Sequence, residues 1–341
     1  MKGIAIIAML FHHLYCSIPD WVEPYRGCLF WLGDLGKVCV AIFLFCSGYG
    51  MAVKYAKTDG LKDKAKFLFK RFISFYTNYW IIFLIFVPIT VLLFNRPFSA
   101  AYGENVNIIK RLAYDFLGIQ GFQSYNITWW FNKLIILLWL LFPFIYWIAQ
   151  KYPLLSLLGS LIVAFFWMPV VGWDYYGGLY LYQLSFVIGI VWRLTESRLK
   201  AIESLLVGKR IIILPIVSIY LFVVFVFLRM NPVIPHFSGL IIDAFLACSI
   251  ALLVICFAGE KCLLSTGLSF IGKHSGNIYL IHTFVNVYWN SEWLHTSSLM
   301  RHGMNFIVLL GISLLFSVLL ELLKEKSGVY AVVKKINEKL S

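Results

Sequence analysis

Charge is what this chain has least of. Only 13% of its 341 residues are Asp, Glu, Lys or Arg, against about a quarter in soluble domains, and its mean hydropathy is +0.84. That balance excludes an ordinary soluble enzyme and indicates a polytopic membrane protein. Acidic residues are scarcer still, 16 against 29 basic ones, which leaves a net charge of +13. The basic residues bracket apolar runs and form no single basic face, so no nucleic-acid partner is implied. Paired cysteines are also missing. The seven cysteines are scattered singly, none in a Cys-x-x-Cys pair, so no disulfide framework or zinc site is visible. Cys39, Cys46, Cys248 and Cys256 fall inside apolar runs and read as small core residues; Cys16 and Cys28 are the one pair open to a bridge. No small-residue cleavage site follows the apolar residues 3–11, which are therefore read as a retained first membrane helix and not as a signal peptide.

What the chain does have is a succession of apolar runs. Residues 3–18, 36–53, 72–94, 128–149, 153–170, 176–192, 211–229, 239–257, 268–289 and 304–323 are candidate spans, each close to the roughly 20 residues a bilayer requires. Lipid offers the backbone no hydrogen-bond partner, so each is expected to be helical. Lysines and arginines then orient the chain. The segment 54–71, "KYAKTDGLKDKAKFLFKR", carries seven, residues 193–210 carry five and the tail after 323 carries five. With Lys2, Lys151, Lys261 and Lys273 they make 21 of the 29, all on one side when the spans alternate. The prediction is an all-α polytopic integral membrane protein with about ten transmembrane helices and both termini cytoplasmic. Residues 1–323 read as one transmembrane domain and 324–341 as a basic amphipathic tail on the cytoplasmic surface. In the outer connection 95–127, "NIIKRLAYDFLGI" has the pattern of a helix lying along the interface.

Ionisable residues inside spans are costly and are functional candidates by default. The stretch "MKGIAIIAMLFHHLY" holds Lys2, His12 and His13. At 100° per residue Lys2 and His13 fall within about 20° of each other, with His13 about 16 Å further along the axis, while His12 points about 80° from Lys2. Either both histidines hydrogen-bond between helices, or a cation stands at the cytoplasmic mouth below a neutral imidazole that burial keeps available as a base. In "LSFIGKHSGNIYLIHTF", Ser275 and His282 share a face by the same geometry, and Gly272 and Gly276 permit close helix approach; function and packing are both open for His282. Lys70 and Arg71 in "FKRFISFYTNYW" stand at the mouth of the third span, where they serve either the positive-inside bias or the gripping of phosphates. Trp129, Trp130 and Phe131 in "YNITWWFNKL" mark an interface, as an aromatic belt or as a face for sugar rings.

Taken together and in order, these segments resemble the membrane-bound acyltransferase-3 family of bacterial cell-surface O-acyltransferases, over nearly the whole chain. The family's first-helix arginine, ten intervening residues and histidine fall on Lys2 and His13. "VAIFLFCSGYG" is similar to its second-helix signature and places Ser47, Gly48 and Tyr49. "FKRFISFYTNYW" is similar to its two-arginine motif, "TWWFNKLIILLWLLFPFI" to its Trp-Phe helix through Trp130, Phe131 and Pro143, and "IGKHSGNIYLIHTF" to its late element through Gly272, Ser275, Tyr279 and His282. The chain departs from the pattern at Lys2, which replaces an arginine and keeps the charge without the bidentate fork, at Ser74, where the second arginine falls, and at Thr77, where the proline falls.

The resemblance implies a membrane acyltransferase of the bacterial cytoplasmic (inner) membrane that moves an acetyl or other acyl group from cytoplasmic acetyl-CoA (acyl-CoA), a donor co-substrate and not a resident cofactor, to a hydroxyl of a surface saccharide or lipid-linked glycan precursor. His13 is the expected base, or the site of an acyl-histidine relay, with His282 and Ser275 orienting the acceptor or stabilising the oxyanion. Lys2, Lys70, Arg71 and Ser74 are the expected cofactor contacts. Trp129, Trp130, Tyr279 and Ser47 are the expected substrate contacts. No metal is called for. The alternative class is a translocator of a glycan or lipid-linked intermediate, which the span count fits equally well but which gives no reason for the Lys2–His13 spacing. A glycan polymerase would call for a large basic outer loop, whereas 95–127 carries only Arg96, Lys110 and Arg111.

Overall fold

The computed structural model describes residues 1–16, 26–171, 179–205, 210–231, 236–257, 263–289 and 299–339, by backbone alone at 26–28, 164–171, 179–181, 197–205, 210–212, 236–240 and 299–302. Cys28, half of the pair open to a bridge, falls among the latter, and residues 176–178 of the expected sixth span lie outside the described residues. The described chain is helical and contains no strand: α1 Lys2–Tyr15, α2 Arg26–Gly36, α3 Cys39–Tyr55, α4 Gly60–Leu93, α5 Phe98–Tyr102, α6 Ile108–Phe116, α7 Trp130–Lys151, α8 Pro153–Val171, α9 Leu179–Leu205, α10 Arg210–Met230, α11 His236–Phe257, α12 Leu263–Lys273, α13 Ser275–Thr283, α14 Leu299–Lys326 and α15 Val329–Lys339. Short 3-10 turns, Gly121–Gln123 and Ile127–Trp129, precede α7, and a π-helical turn, Phe284–Tyr288, continues α13.

Among the described residues five stretches are long and apolar enough to cross a membrane: Leu29–Tyr55, Gly60–Leu93, Ile127–Lys151, Ile213–Met230 and Gly303–Lys326. Three shorter apolar helices, Lys2–Tyr15, Pro153–Val163 and Ile241–Phe257, coincide with other expected spans. The run 268–289, expected as one span, is instead broken at His274 (φ −88°, ψ 1°) into α12, α13 and the π turn. The break makes Ser275 the first residue of α13.

The chain forms two compact units from interleaved segments. One comprises Met1–His12, Trp31–Ala56 and Leu134–Gly272; the other comprises His13–Phe30, Lys57–Lys133 and Lys273–Ser341.

In the first unit α3 and α9 meet backbone to backbone. A Cβ on Gly48 would lie 2.1 Å from the Phe186 carbonyl oxygen, and one on Gly189 would lie 2.3 Å from that of Phe45. Only hydrogen fits at either place, which is how small residues bring apolar helices together without a hydrophobic driving force between them. Ser47 and Tyr49 flank the contact: the Trp139 indole donates to Ser47 Oγ (3.2 Å) and Tyr49 donates to Glu196 (3.2 Å). The buried carboxylate Asp243 of this unit is paired, as a desolvated ion requires. Arg229 of α10 donates through Nε to Asp243 of α11 (2.9 Å) and through Nη1 to Asp34 of α2 (2.8 Å).

The second unit is built on α4. Tyr79, Ile82, Phe83, Phe86 and Val87 bury one stripe of it against Leu280, Ile281 and Phe284 of α13 and its π turn, with Trp129 and Tyr125 completing the cluster. Successive contacts set the two helices side by side in the same direction. Asn78 faces Gly276, the Phe86 ring packs on Phe284 (5.4 Å), and the Trp289 indole donates to Thr90 Oγ1 (2.8 Å). The buried ammonium of Lys324 on α14 donates to Glu321 (2.7 Å), Asn277 (3.2 Å) and Asn78, so one cation ties α4, α13 and α14 together.

Candidate active site

Helix α1 carries Lys2 in its first turn and His12 and His13 near its end. Lys2 is exposed and borders Gly272, where a Cβ would lie 3.4 Å from Lys2 Cβ and 3.2 Å from the Gly3 nitrogen. Gly272 thus permits the close approach read from its spacing, whereas Gly276 makes only an ordinary contact, 3.7 Å from Asn78. His12 and His13 part ways as helical geometry requires. The Nδ1 of His12 lies 2.8 Å from the Gly33 carbonyl oxygen, so it ties α1 to α2 in the first unit. His13 belongs to the second unit and turns its ring toward His282, with centroids 4.9 Å apart and planes inclined by 42°.

His282 is wholly buried. Its Nδ1 lies 2.8 Å from the carbonyl oxygen of Tyr279 and 3.1 Å from that of Ile278. A carbonyl can only accept, so Nδ1 must carry a proton and a neutral ring leaves Nε2 as its basic atom. That Nε2 is 3.2 Å from Thr283 Oγ1, which is 3.0 Å from Thr128 Oγ1, which in turn donates to Asn126 Oδ1 (2.7 Å). A chain of hydroxyls therefore leads from the second imidazole into the segment just before α7. Two imidazoles in ring contact, one held in a fixed tautomer by main-chain carbonyls, form an arrangement able to accept and return a proton.

The other residues singled out from the sequence occupy distinct places. Ser275 is buried at the start of α13, about 10 Å of helix rise below His282 and out of hydrogen-bonding reach of it. Arg71, Ser74 and Asn78 recur at helical spacing on α4; Lys70 and Arg71 are half-buried and Ser74 is exposed. Since Asn78 faces Gly276, these residues lie at the Ser275 end of the unit, away from the π turn. Trp129 is buried, donates from Nε1 to the Leu280 carbonyl (3.1 Å) and packs on Tyr79, Phe83 and Phe284. Trp130 is half-buried and stacks on Phe122 (4.9 Å). Tyr279 donates to the Thr128 carbonyl (2.8 Å) and to Asn132 Oδ1 (3.3 Å). Ser47 lies in the other unit.

Two residues of this unit escaped the sequence reading. Asn286, in "HTFVNVYW", is a polar residue four positions past His282 in an apolar run; it is buried, and its amide donates to the His13 carbonyl oxygen (2.9 Å). Lys324 reads in the sequence only as one of the basic tail residues, yet it is 3% exposed and holds three helices.

Outside the spans, the connection 95–127 folds over one buried carboxylate. Asp115 of α6 accepts from the Tyr102 hydroxyl (2.8 Å) and from the Tyr125 amide, and burial pushes its pKa up to about 6 against those hydrogen bonds and the charge of Arg96. The Arg96 guanidinium lies over the rings of Tyr125 (4.5 Å) and Tyr288 (3.6 Å) and donates to the Tyr125 carbonyl (2.7 Å). The connection is thereby fastened to the π turn that follows His282.

Apolar helices around two imidazoles in ring contact, His282 buried and His13 half-buried, define a multi-pass membrane protein with a pair of groups able to transfer a proton. A family profile described as an acyltransferase domain matches residues 1–323. The chain belongs to the acyltransferase-3 family and is a membrane acyltransferase. No curated protein and no solved structure matches it.

Proposed function

We propose that this acyltransferase moves an acetyl, or other acyl, group from cytoplasmic acyl-CoA to a hydroxyl of a cell-surface saccharide or its lipid-linked precursor, in the cytoplasmic membrane of a bacterium. In this reading the chain crosses the membrane ten times with both termini in the cytoplasm, following the distribution of its lysines and arginines. Lys2, Lys70, Arg71 and Ser74 take the donor's phosphates. The thioester reaches the histidine pair, and the acceptor's O–H proton passes to an imidazole while its oxygen attacks the thioester carbonyl. The C–S bond then breaks and the departing thiolate takes the proton back. Direct transfer and an acyl-histidine relay use the same two rings.

The observation that carries the reading is the 4.9 Å contact between His13 and His282, which the order of the family's motifs had singled out from opposite ends of the chain. The test is to supply acetyl-labelled acetyl-CoA to membranes containing the protein and to look for label in ester linkage on the glycan fraction. Label that appears there with the wild-type chain and not with His13→Ala supports the reading. A wild-type protein that moves glycan across the membrane but leaves it unlabelled would be a translocator.

A further inference from the structure

The amide of Asn286 has two ends, and only one has a partner. The side chain is 0% exposed. Its Nδ2 donates to the main-chain oxygen of His13 (2.9 Å), and that partner fixes how the amide is turned, because a carbonyl cannot donate and the Oδ1 end could not replace the nitrogen there. Oδ1 therefore points elsewhere, and among the described residues it meets no hydrogen-bond donor. A buried acceptor seldom goes unpaired in a native protein. The residue sits in the π-helical turn Phe284–Tyr288, closed by the Trp289 amide donating to the Phe284 carbonyl (2.8 Å); such turns recur at functional sites.

The position says which reactant could supply the donor. The direction follows from α4. Arg71 and Ser74 lie toward Ser275, whereas Asn286 lies beside Phe284, level with Phe86, about 18 Å of helix rise beyond Ser74. If the donor's phosphates are held at Arg71, Asn286 stands on the far side of the histidine pair, where the acceptor arrives. The hydroxyl that is acylated gives its proton to an imidazole and cannot spend it on Oδ1 as well. We infer that Asn286 Oδ1 accepts a hydrogen bond from a second hydroxyl of the acceptor, so that the enzyme selects polyhydroxylated acceptors with neighbouring hydroxyls over single-hydroxyl alcohols. This rests on the acyl-transfer reading above. Asn286 becomes an acceptor-binding residue, and its bond to the His13 main chain sets the distance between the bound sugar and the base.

The test compares acceptors within one variant, so that a loss of folded protein cancels. Methyl hexosides of the gluco, galacto, manno and rhamno series, each with its monodeoxy derivatives, are offered with labelled acetyl-CoA to wild type and to Asn286→Ala. The expected result is that the wild type prefers the best hexoside over one of its monodeoxy derivatives by at least about 10²-fold in kcat/KM, because a site built around a substrate hydroxyl rejects the analogue without it. In Asn286→Ala that ratio falls below about tenfold, while the KM for acetyl-CoA holds. Equal losses on hexoside and deoxyhexoside would make Asn286 a support for α1 only and overturn the inference. A wild type that acylates none of the hexosides would remove the saccharide acceptor on which both stand, whereas equal turnover of every deoxy analogue by an active wild type would overturn the inference alone.

Discussion

The imidazoles of His13 and His282 lie with their centroids 4.9 Å apart, one on the last turn of the first helix and the other on the short helix that follows the break at His274. His12, one residue away, bonds to Gly33 instead. Adjacent histidines thus have separate partners, and substitution should tell them apart. His12→Ala should lower stability by about 1 kcal/mol, the worth of one hydrogen bond, and leave turnover within a few-fold. Thermal unfolding and transfer assays on the same preparation check both halves.

The crossing of α3 and α9 predicts a sharp contrast among glycines. Gly48→Ala and Gly189→Ala would each push a methyl group into backbone less than 2.5 Å away, at a cost of about 1–3 kcal/mol or more as the helices part. Gly159→Ala and Gly311→Ala meet nothing within 4 Å and should be neutral or slightly stabilising, since alanine favours the helix by about 1 kcal/mol over glycine. Unfolding temperatures in one detergent compare the four.

Lys324 supplies a second contrast. Removing it as Lys324→Ala takes the ammonium from the Asn78 and Asn277 oxygens and leaves Glu321 with only its neutral donors, Asn277 and Tyr330; the loss of a buried ion-pair partner typically costs about 3–5 kcal/mol, and with Glu321 partly exposed about 2–3 kcal/mol is expected here. Lys334, which sits 3.9 Å from Glu338 with both side chains largely exposed, should be replaceable by alanine without measurable effect.

Much of this arrangement was legible in the sequence. Scarce charge and successive apolar runs indicate helices in a membrane, and the Lys2–His13 spacing alone separates the direction of His13 from that of His12. What periodicity cannot express is which helices meet. The break at His274 falls in a run apolar enough to read as one span. Trp129 reads as an interfacial aromatic but lies in the core, because Tyr79, Phe83 and Phe284 come from distant segments. Lys324 looked like one more basic residue of the tail, and only the convergence of Asn78, Asn277 and Glu321 makes it an interior cation.

Asp115 makes the connection 95–127 sensitive to pH. Its carboxyl ionises at about 6 in the folded chain, above its ordinary value of 3.8, so the folded state holds the proton more tightly than the unfolded one. The stability that Asp115 contributes is therefore greatest below about pH 4, falls as pH rises toward 6 and is level above that. The full difference is about 3 kcal/mol by the usual 1.36 kcal/mol per pKa unit. Asp115→Asn should flatten that slope between pH 4 and 7. Unfolding temperature or proteolysis within the connection, followed across that range, measures it.

The histidine pair is the centre of the proposed chemistry. Single-turnover acyl transfer from acetyl-CoA, measured on purified His13→Ala, His282→Ala, the double variant and His12→Ala, addresses it in one experiment. The prediction is a loss of about 10²–10⁴-fold for His13→Ala, a large loss for His282→Ala, a double variant little worse than the worse single one because the rings act as a unit, and near-normal transfer for His12→Ala. A folded His13→Ala protein that transfers as fast as His12→Ala would contradict it.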